Sequence, residues 1–380
     1  METLNTTAPI DVAMTTTAPP SDVLPWQAVT LWIYTVAMFA AFVVGVPANS
    51  ANIAVLWLSR RMRQPSFTYI RWMAVVDLLV NVIAFTGYGL VRSRLVGQSY
   101  AALWYYSHLF FFTFRLFVCA SNFILLALTV DRYLRVCHPL RFARPLSARA
   151  TSATLVAIFA SCFVLSLPHA YETTVTPYVD AATNETLYTW SWNEEVRDEV
   201  FYPHVYPIFK EIVTRFVPIA VVVVLNVLII RSHRAFLKKR EGLSPRTRAE
   251  KKTMREQTRL LVLLASASAV FLVCTLPQAF VTILLRADSA IYGRRRFYVF
   301  VHVANLIEVL NFIANLFVYS IASSDFRKSF REVFRCCFRL RRSGSSTSTQ
   351  YSGDTLGRKE DSTSKSSVEA KRKMSTDSAL

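Results

Sequence analysis

Apolar residues in this chain form seven long blocks separated by polar segments, with no alternating or amphipathic stripes. The blocks cover about residues 30–58, 67–91, 102–136, 150–168, 206–231, 260–285 and 297–321. A helix needs roughly 20 mostly apolar residues to cross the hydrocarbon core of a bilayer. Backbone polar groups find no water in that core, so segments that span it are helices. The pattern predicts an all-α membrane protein built as a seven-transmembrane helix bundle, and a soluble all-helical bundle is the less favoured alternative.

Composition and charge support a membrane topology. The chain is 53% hydrophobic and 18% charged, whereas soluble domains carry about 25% charged residues. The net charge of +18 comes mainly from basic clusters that follow the first, third, fifth and seventh blocks. Seven spans place these clusters on one side, which the positive-inside rule makes cytoplasmic, and the N-terminus is then extracellular. Because topology accounts for the charge, no nucleic-acid partner is expected.

Four regions are predicted from these patterns. Residues 1–29 are rich in Thr and Pro, which predicts an extracellular disordered N-terminus, and residues 30–322 form the bundle. Residues 323–340 carry Phe at helical spacing among Arg and Lys, as in an amphipathic helix on the membrane surface. Residues 341–380 are rich in Ser and Thr, which predicts a disordered cytoplasmic tail. No charged segment precedes the first block, so a cleaved signal peptide is not expected.

Covalent modification is predicted on both sides of the membrane. Asn5 and Asn184 lie in glycosylation sequons on the extracellular side. Cys336 and Cys337, at the end of the amphipathic segment, are either palmitoylated or free cytosolic thiols. No cysteine lies on the extracellular face, so no extracellular disulfide is expected. The second outer loop contains two segments, Thr173–Val179 and Thr186–Trp192, whose composition predicts a β-hairpin.

Polar residues inside the spans mark the functional positions, because burying them in a membrane is costly. In span seven, Glu308, Asn311 and Asn315 are three and four residues apart and share one helix face. Several further motifs recur in order along the spans: Asn49, Asp77-Leu78-Leu79, Asp131–Leu140, Pro218, Phe271, Cys274–Pro277 and Asn315–Tyr319. Over residues 30–340 this set resembles the rhodopsin-like (class A) G-protein-coupled receptors. Asp131–Leu140 and Asn315–Tyr319 together also resemble invertebrate neuropeptide receptors of the FMRFamide-receptor-like type.

The resemblance implies a plasma-membrane receptor that is not an enzyme. An extracellular ligand would activate a heterotrimeric G protein through outward movement of the sixth helix, which frees Arg132 from Asp131. The residues assigned to coupling and activation are Asp131, Arg132, Tyr133, Pro139, Leu140, Asn226 and Tyr319. In this family a buried polar site binds an allosteric sodium ion, and here it would consist of Asp77, Ser121, Asn311 and Asn315. A water-filled polar network without an ion is the alternative, and no other cofactor is expected.

The chain departs from the family pattern at several positions. The family usually joins a cysteine at the outer end of span three to the second outer loop, but here Ser107 occupies that position and the loop has no cysteine. Asn226 replaces a tyrosine that often stabilises the active state. Gln257 stands where some relatives carry a glutamate that holds Arg132, so any inner lock must be weaker or built on neighbouring residues. A constitutively active or non-signalling orphan receptor is therefore an alternative.

The candidate pocket mixes aromatic residues with charges of both signs, which suits a peptide better than a lipid. Its predicted residues are Phe111, Phe114, Arg115, Lys210, Glu211, Arg215, Gln278, Thr282, His302, Asn305 and Glu308. Phe114 occupies the place of the aspartate of amine receptors, so a monoamine ligand is not expected. The second outer loop is acidic and would attract a basic ligand. Two hypotheses remain for Glu308: it pairs with an arginine of the ligand, or it pairs internally with Arg115.

The same residues also bear on other functions and on partners of the tail. A class A receptor for a non-peptide small molecule is the main alternative. A transporter is less favoured because the halves show no internal repeat. A membrane enzyme lacks the required metal-ligand spacing or nucleophile–base arrangement. The hydroxyl cluster of residues 343–349 predicts phosphorylation by receptor kinases and arrestin binding, or only a solubilising tail. The terminal segment Ser378-Ala379-Leu380 matches a PDZ-binding pattern.

Overall fold

The computed structural model describes residues 25–62, 67–92, 96, 99–142, 147–179, 184–197, 201, 205–241, 248–287, 291 and 294–346. Seven helices in these ranges are long and apolar enough to cross a membrane. They are α1 (Pro25–Leu58), α2 (Thr68–Val91), α3 (Tyr100–Cys137), α4 (Ala148–Ala170), α5 (Tyr206–Lys238, continuing to Glu241), α6 (Arg248–Ala287) and α7 (Arg295–Ala322). The predicted seven-helix bundle is confirmed. The helices extend beyond most of the apolar blocks because their ends continue past the hydrocarbon region.

The central helix of the bundle is α3. It packs against α2, α4 and α5, while α7 packs against α1, α2 and α6. The largest fully buried side chains include Phe110, Phe114, Phe312 and Tyr319. The outward faces are apolar as well, and Ile321, for example, is 80% exposed. Lipid removes most of the hydrophobic drive for association between helices, so close packing and interhelical polar contacts stabilise such a bundle.

Three of the helices are locally widened near their predicted outer ends. The π-helical segments are Phe85–Val91 in α2, Tyr105–Phe110 in α3 and Ile212–Phe216 in α5. Segments of this kind are rare and occur frequently at functional sites. The first two contact each other through the hydroxyls of Thr86 and Tyr105, which are 2.6 Å apart. The widened turns therefore surround the region where the candidate pocket was predicted.

The predicted hairpin is confirmed. Strands β1 (Thr173–Val179) and β2 (Thr186–Trp192) pair antiparallel, with Val175 opposite Trp190. Asn184, at its turn, is exposed and has φ of 57°, a left-handed conformation that asparagine tolerates better than most residues. Its predicted glycosylation site is thus accessible. Asn5 lies outside the described residues.

Non-covalent contacts hold the hairpin against α3 where the family usually has a disulfide. The Thr173 hydroxyl donates to the Ser107 carbonyl at 3.2 Å, and a ring nitrogen of His108 lies 2.8 Å from the Ala170 carbonyl oxygen. Trp190 is buried, with its ring centroid 6.1 Å from that of Tyr106. One hydrogen bond and one buried aromatic ring thus hold the hairpin against α3, and the His108 contact ties α3 to the end of α4 just before the hairpin.

An eighth helix, α8 (Ser324–Ser346), follows α7 and confirms the predicted amphipathic segment. The Ser323 hydroxyl caps its start by accepting a hydrogen bond from the Phe326 N–H at 3.1 Å. Ser59 bonds to Ser329 at 2.9 Å, which ties the first part of the helix to the end of α1. The chain divides into a unit of Met1–Phe334 and a second of Arg335–Leu380. Within the second unit the structure describes the backbone of α8 as far as Ser346.

Several predictions for the two ends of the chain fall on residues that the structure does not describe. Helix α1 begins at Pro25, so only residues 1–24 of the predicted N-terminal region are outside the described ranges. Residues 347–380 are also outside the described ranges, and they include part of the hydroxyl cluster and the PDZ-type terminus. Cys336 and Cys337 lie in α8, but their side chains are outside the description. The modification of these residues and their binding partners therefore stay predictions.

Candidate functional site

A buried ion pair joins α5 to α7 in the interior of the bundle. Glu211 and Arg215 are four residues apart on α5, a spacing that places them on the same helix face. Arg215 Nη1 lies 2.9 Å from Glu211 Oε2, and Arg215 Nη2 lies 2.7 Å from Glu308 Oε1. The side chains of Arg215 and Glu308 are only 4% and 6% exposed. One guanidinium therefore neutralises two carboxylates that come from different helices.

The pairing continues outward from Glu211 to the start of the hairpin. Lys210 Nζ lies 3.4 Å from Glu211 Oε1 and 3.2 Å from His169 Nε2. His169 Nδ1 lies 2.7 Å from Glu172 Oε2. An ammonium group has no acceptor, so this network assigns the Nε2 atom as the acceptor and the Nδ1 atom as the donor. We call the six residues Glu172, His169, Lys210, Glu211, Arg215 and Glu308 the charge chain.

Charge at the outer end of the charge chain is set by its neighbours. Burial opposes ionisation of the Glu172 carboxyl, but His169 and the cations Lys210 and Arg115 outweigh burial and hold its pKa below the usual value. Glu172 is therefore a carboxylate at neutral pH. It does not act as an ordinary solvated residue of an acidic loop, because its side chain is only 19% exposed.

The predicted internal pair between Arg115 and Glu308 is wrong. Glu308 contacts Arg215, as described above, and no hydrogen bond or ion pair joins Arg115 to another residue in the described part of the chain. Residue spacing within one helix does not tell which arginine of another helix, Arg115 on α3 or Arg215 on α5, reaches Glu308. Arg115 is half-buried and lies in the electrostatic field of Glu308, Glu211 and Glu172.

A small cavity lies among α3, α4 and α5 beside the charge chain. Its volume is about 20 Å³, which is room for about one water molecule. Four of the predicted pocket residues line it, namely Arg115, Lys210, Glu211 and Arg215. The remaining lining residues are Val118, Cys119, Asn122, Leu165, Ser166 and Thr214. The structure thus brings the charged part of the predicted pocket together around one polar space.

The other predicted pocket residues lie apart from this cavity. Phe114 is buried in an aromatic cluster, with ring centroids 5.5 Å from Tyr88 and 5.7 Å from Phe110, and Phe111 is 5.0 Å from Phe110. His302 bonds to a carbonyl of its own helix and packs 4.9 Å from the ring of Tyr34. These rings pack against one another and do not line the cavity.

On α6 and α7 the predicted polar residues have different environments. The Thr282 hydroxyl donates to the Gln278 carbonyl at 3.1 Å. Gln278 is buried, and its side-chain Oε1 has no hydrogen-bond partner. Asn305 is half-buried. Gln278 is therefore a buried acceptor that a ligand N–H group could satisfy.

Three polar residues at the site, Glu172, His169 and Asn122, were absent from the sequence-based pocket. His169 links the hairpin end of the charge chain to α5, and Asn122 donates to the Thr214 carbonyl at 3.3 Å across the cavity. A signal was present for Asn122, which is a polar residue within the third apolar block, whereas His169 and Glu172 lie just beyond the end of the fourth block. None of the three could be assigned without knowing which faces of α3, α4 and α5 meet.

A second polar cluster surrounds Asp77 in the middle of the bundle. The Asp77 side chain is fully buried. Its Oδ1 accepts a hydrogen bond from the Ser121 hydroxyl at 2.9 Å, and its Oδ2 accepts one from Asn315 Nδ2 at 2.5 Å. The structure thus brings together three of the four predicted sodium-site residues. The fourth, Asn311, is half-buried, and no hydrogen bond joins it to Asp77 in the ranges that the structure describes.

Unsatisfied polar atoms lie in the same region of α1 and α2. Asn49 Nδ2 donates to the Phe312 carbonyl at 2.8 Å, but its Oδ1 atom has no partner. Both polar side-chain atoms of Asn52 and the Oδ1 atom of Asn81 are also buried without a hydrogen bond. Orphaned buried groups of this kind usually bind ordered water or an ion.

At the C-terminal end of α3, Asp131 pairs mainly with Arg135. Arg135 Nη2 and Nε lie 2.6 and 3.1 Å from Asp131 Oδ1, whereas Arg132 Nε is 3.8 Å from Asp131 Oδ2. The expectation that Asp131 holds Arg132 by a hydrogen bond is thus corrected: one turn further along α3, Arg135 occupies the same face and takes the stronger contact. Tyr133 is half-buried.

The remaining predicted coupling residues have contrasting exposures. Pro139 is exposed and Leu140 is 100% exposed, so both present apolar surface to the cytoplasm in the predicted topology. Tyr319 is buried against Phe326 of α8, with ring centroids 5.8 Å apart. Asn226 donates to the Val222 carbonyl within its own helix at 2.9 Å. Only the first two are available for docking in this conformation.

The amino-acid sequence is similar to those of known membrane receptors. A family model described as "7 transmembrane receptor (rhodopsin family)" matches residues 48–319. The "Probable G-protein coupled receptor AH9.1" of Caenorhabditis elegans is 29% identical over 310 residues, which cover 77% of this chain and 73% of that protein. The "Substance-K receptor" of Mesocricetus auratus is 27% identical over 317 residues, or 82% and 77% of the two chains. The "Tachykinin-like peptides receptor 99D" of Drosophila melanogaster is 24% identical over 331 residues, or 84% and 60%.

Proposed function

Because the chain belongs to the rhodopsin family of seven-transmembrane receptors, we propose that it binds an extracellular peptide and activates a heterotrimeric G protein. The observation that carries the peptide assignment is the charge chain, which presents alternating charges beside a polar cavity below the hairpin. A peptide offers both charged termini and backbone hydrogen-bonding groups to such a surface. Two of the similar proteins are named as receptors for substance K and for tachykinin-like peptides.

Ligand entry requires the outer end of the bundle to open. A cavity of about 20 Å³ is far smaller than the roughly 300–1,000 Å³ of sites that enclose drug-sized ligands. A peptide would therefore contact the rim and hairpin first and insert one end toward the charge chain. The hairpin suits this step because hydrogen bonds, and no covalent bond among the described residues, hold it to α3.

Coupling to the G protein would use the cytoplasmic end of α3 and the loop that follows it. Asp131 makes its close contact with Arg135, so the 3.8 Å pair between Asp131 and Arg132 is a weak restraint on Arg132. Outward movement of α6 would then leave Arg132 available to a G-protein helix. Leu140, which is fully exposed, would insert into an apolar surface of the same partner.

The Asp77 cluster is proposed to hold a sodium ion when the receptor is inactive. The residues fit such a hard cation, which prefers oxygen ligands: the Asp77 carboxylate and the Ser121 hydroxyl are adjacent, and Asn49, Asn52 and Asn81 contribute buried oxygens without partners. The ion would neutralise the buried carboxylate. A network of ordered waters is the alternative that the same unsatisfied atoms would support.

Location and regulation complete the proposal. The receptor would lie in the plasma membrane with its N-terminus outside and be glycosylated at Asn5 and Asn184. Cys336 and Cys337 would carry palmitoyl chains on the inner leaflet. The hydroxyl-rich tail would be phosphorylated by receptor kinases and bind arrestin, and Ser378–Leu380 would bind a PDZ protein.

Guanine-nucleotide exchange on Gα, measured in membranes from cells that express the chain, tests the proposal. At least one member of a synthetic peptide library should raise the exchange rate, and Arg132→Ala should abolish the increase. Leu140→Asp should lower it without changing peptide binding. Arg61→Gln is the matched control, because it removes a cytoplasmic arginine that is about half exposed (49%) and lies outside the coupling residues.

Two results would contradict different parts of the proposal. Activation by non-peptide compounds alone would remove the peptide assignment. No response to any ligand, together with basal exchange that Arg132→Ala leaves unchanged, would remove the coupling to a G protein.

A further inference from the structure

The cation Arg115 is the one charged cavity residue that lacks a direct partner among the described residues. Lys210 contacts Glu211 and His169, and Glu211 also contacts Arg215. No hydrogen bond or ion pair is formed by the Arg115 guanidinium within the ranges that the structure describes, although the group lines the cavity. An arginine side chain carries five N–H donors in a fixed planar fork, so the cavity presents an unused donor array.

The carboxylates near Arg115 already have close partners. Glu308 is neutralised by Arg215 at 2.7 Å, Glu211 by Arg215 at 2.9 Å, and Glu172 bonds to His169 at 2.7 Å. Turning any of them toward Arg115 would lengthen a contact that is shorter than 3 Å, and the Arg215 Nη1 atom already lacks a hydrogen bond although it lies 2.9 Å from Glu211 Oε2. The least costly partner for Arg115 is therefore an anion from outside the chain.

The geometry of the cavity restricts that anion to the end of a ligand. The space next to Arg115 is about the size of one water molecule and is also lined by Lys210. A planar carboxylate matches the guanidinium fork in a bidentate manner, and such charge-assisted pairs are stronger than neutral hydrogen bonds. A bulky group would not fit there, and a cationic group would face three cations (Arg115, Lys210 and Arg215) against the single carboxylate of Glu211.

We propose that Arg115 is the anchor for a carboxylate of the ligand, either the free C-terminal carboxylate or an Asp or Glu side chain of the proposed peptide. The inference rests on the proposed peptide function and adds a chemical requirement to it. The acidic outer loop would attract the basic part of a peptide, while Arg115 selects an acidic group that reaches the cavity. Cationic recognition at Glu308 would instead require displacement of Arg215.

A small probe tests the carboxylate site without any peptide agonist. Thermal unfolding of the purified receptor is measured with N-acetylglycine, which carries a carboxylate, and with N-acetylglycinamide, its neutral amide, at equal ionic strength. Binding to the folded state raises the melting temperature by an amount that grows with the logarithm of the ligand concentration above Kd. N-acetylglycine should raise the melting temperature of the wild type and the amide should not. Arg115→Gln should remove the shift, and Arg115→Lys should keep part of it.

Arg234→Gln is the matched control, because Arg234 is exposed near the far end of α5. That variant should keep the full shift. A wild type that N-acetylglycine does not stabilise would overturn the anchor, as would an equal shift with the amide. A shift that survives in Arg115→Gln would place the anion elsewhere, which also overturns it.

Paired peptide libraries then separate failure of the anchor from failure of the receptor proposal. One library has free C-terminal carboxylates and acidic side chains, and the other has C-terminal amides with Asn and Gln in their place. The acidic library should be more potent in nucleotide exchange, and Arg115→Gln should reduce that potency roughly 10–100-fold, as expected for a charged hydrogen bond. Equal potency of the two libraries would refute the anchor but not the receptor. If neither library raised nucleotide exchange, the result would count against the receptor proposal. The melting experiment would still show whether Arg115 binds a carboxylate.

Discussion

The buried pair between Arg215 and Glu308 offers a quantitative test of the charge chain. We consider Arg215→Gln, Glu308→Gln and the double variant. Arg215→Gln leaves Glu308 buried with no cation in contact, whereas Glu308→Gln leaves Arg215 with Glu211 at 2.9 Å and a glutamine oxygen that still accepts a hydrogen bond. The arginine variant should therefore cost more stability than the glutamate variant. The asymmetry follows from the number of partners that each residue has.

The magnitude follows from the 2.7 Å distance and the burial of both groups. At an effective dielectric constant near 20 the gross attraction of this pair is on the order of 6 kcal/mol, and desolvation of the two ions offsets much of it. Leaving Glu308 unpaired should cost about 3–5 kcal/mol in free energy of unfolding. Glu308→Gln should cost about 1–2 kcal/mol. The double variant should cost about 2–3 kcal/mol less than the sum of the two, because it removes the unpaired charge.

The assay is unfolding of the purified receptor in detergent micelles, followed by heat and by denaturing detergent. Cell-surface expression of the three variants is a second measurement and should fall most for Arg215→Gln. The control is the cycle on Arg61 and Glu332, a pair at 3.0 Å with side chains 49% and 56% exposed, whose coupling should stay below about 1 kcal/mol. Additive effects within about 0.5 kcal/mol at Arg215 and Glu308 would refute the reasoning, as would a larger cost for the glutamate variant.

Three further predictions use stability as the readout. Gly87→Ala should lower the free energy of unfolding by about 1–3 kcal/mol, because the added Cβ would lie 2.1 Å from ring carbons of the fully buried Phe110. Glu172→Gln should lower the free energy of unfolding by about 1–3 kcal/mol at neutral pH. Because the pKa of Glu172 is held low in the folded state, the stability that its carboxylate contributes is present above the usual carboxyl pKa and is lost as the pH falls. The melting temperature of the wild type should therefore fall more on acidification than that of the variant. Sodium chloride should raise the melting temperature above that in choline chloride for the wild type and not for Asp77→Asn, and equal curves would favour the water network.

Prediction from sequence succeeded where one physical requirement dominates a whole segment. A bilayer demands long apolar helices with internally bonded backbones, so all seven spans could be located, although α5 continues to Glu241 and α6 begins at Arg248, well beyond their apolar blocks. The hairpin at Thr173–Val179 and Thr186–Trp192 was also located, because strand-forming residues flank a polar turn. Ser107 shows the limit: sequence revealed the missing cysteine, but only the structure showed Thr173 donating to the carbonyl of that residue.

Prediction failed where the choice lay between partners on different helices. Glu308 was placed correctly inside span seven, yet its partner is Arg215 on α5 and not Arg115 on α3. Asp131 was expected to hold Arg132 but contacts Arg135 more closely. At Asp131 two arginines lie within one helical turn, and the difference between 2.6 and 3.8 Å decides which one makes the closer contact.

The sequence by itself determined the seven membrane-spanning segments, the family and the set of charged residues that remain inside the spans. These depend on hydrophobicity and local spacing, which are properties of the chain before it folds. The tertiary structure decided how those charges are shared among helices, which carboxylates are neutralised and that Arg115 is left without a close partner in the described residues. The physical reason is that Coulomb and hydrogen-bond energies fall steeply with distance, so the partners follow from rotation and packing of helices that the one-dimensional pattern does not record.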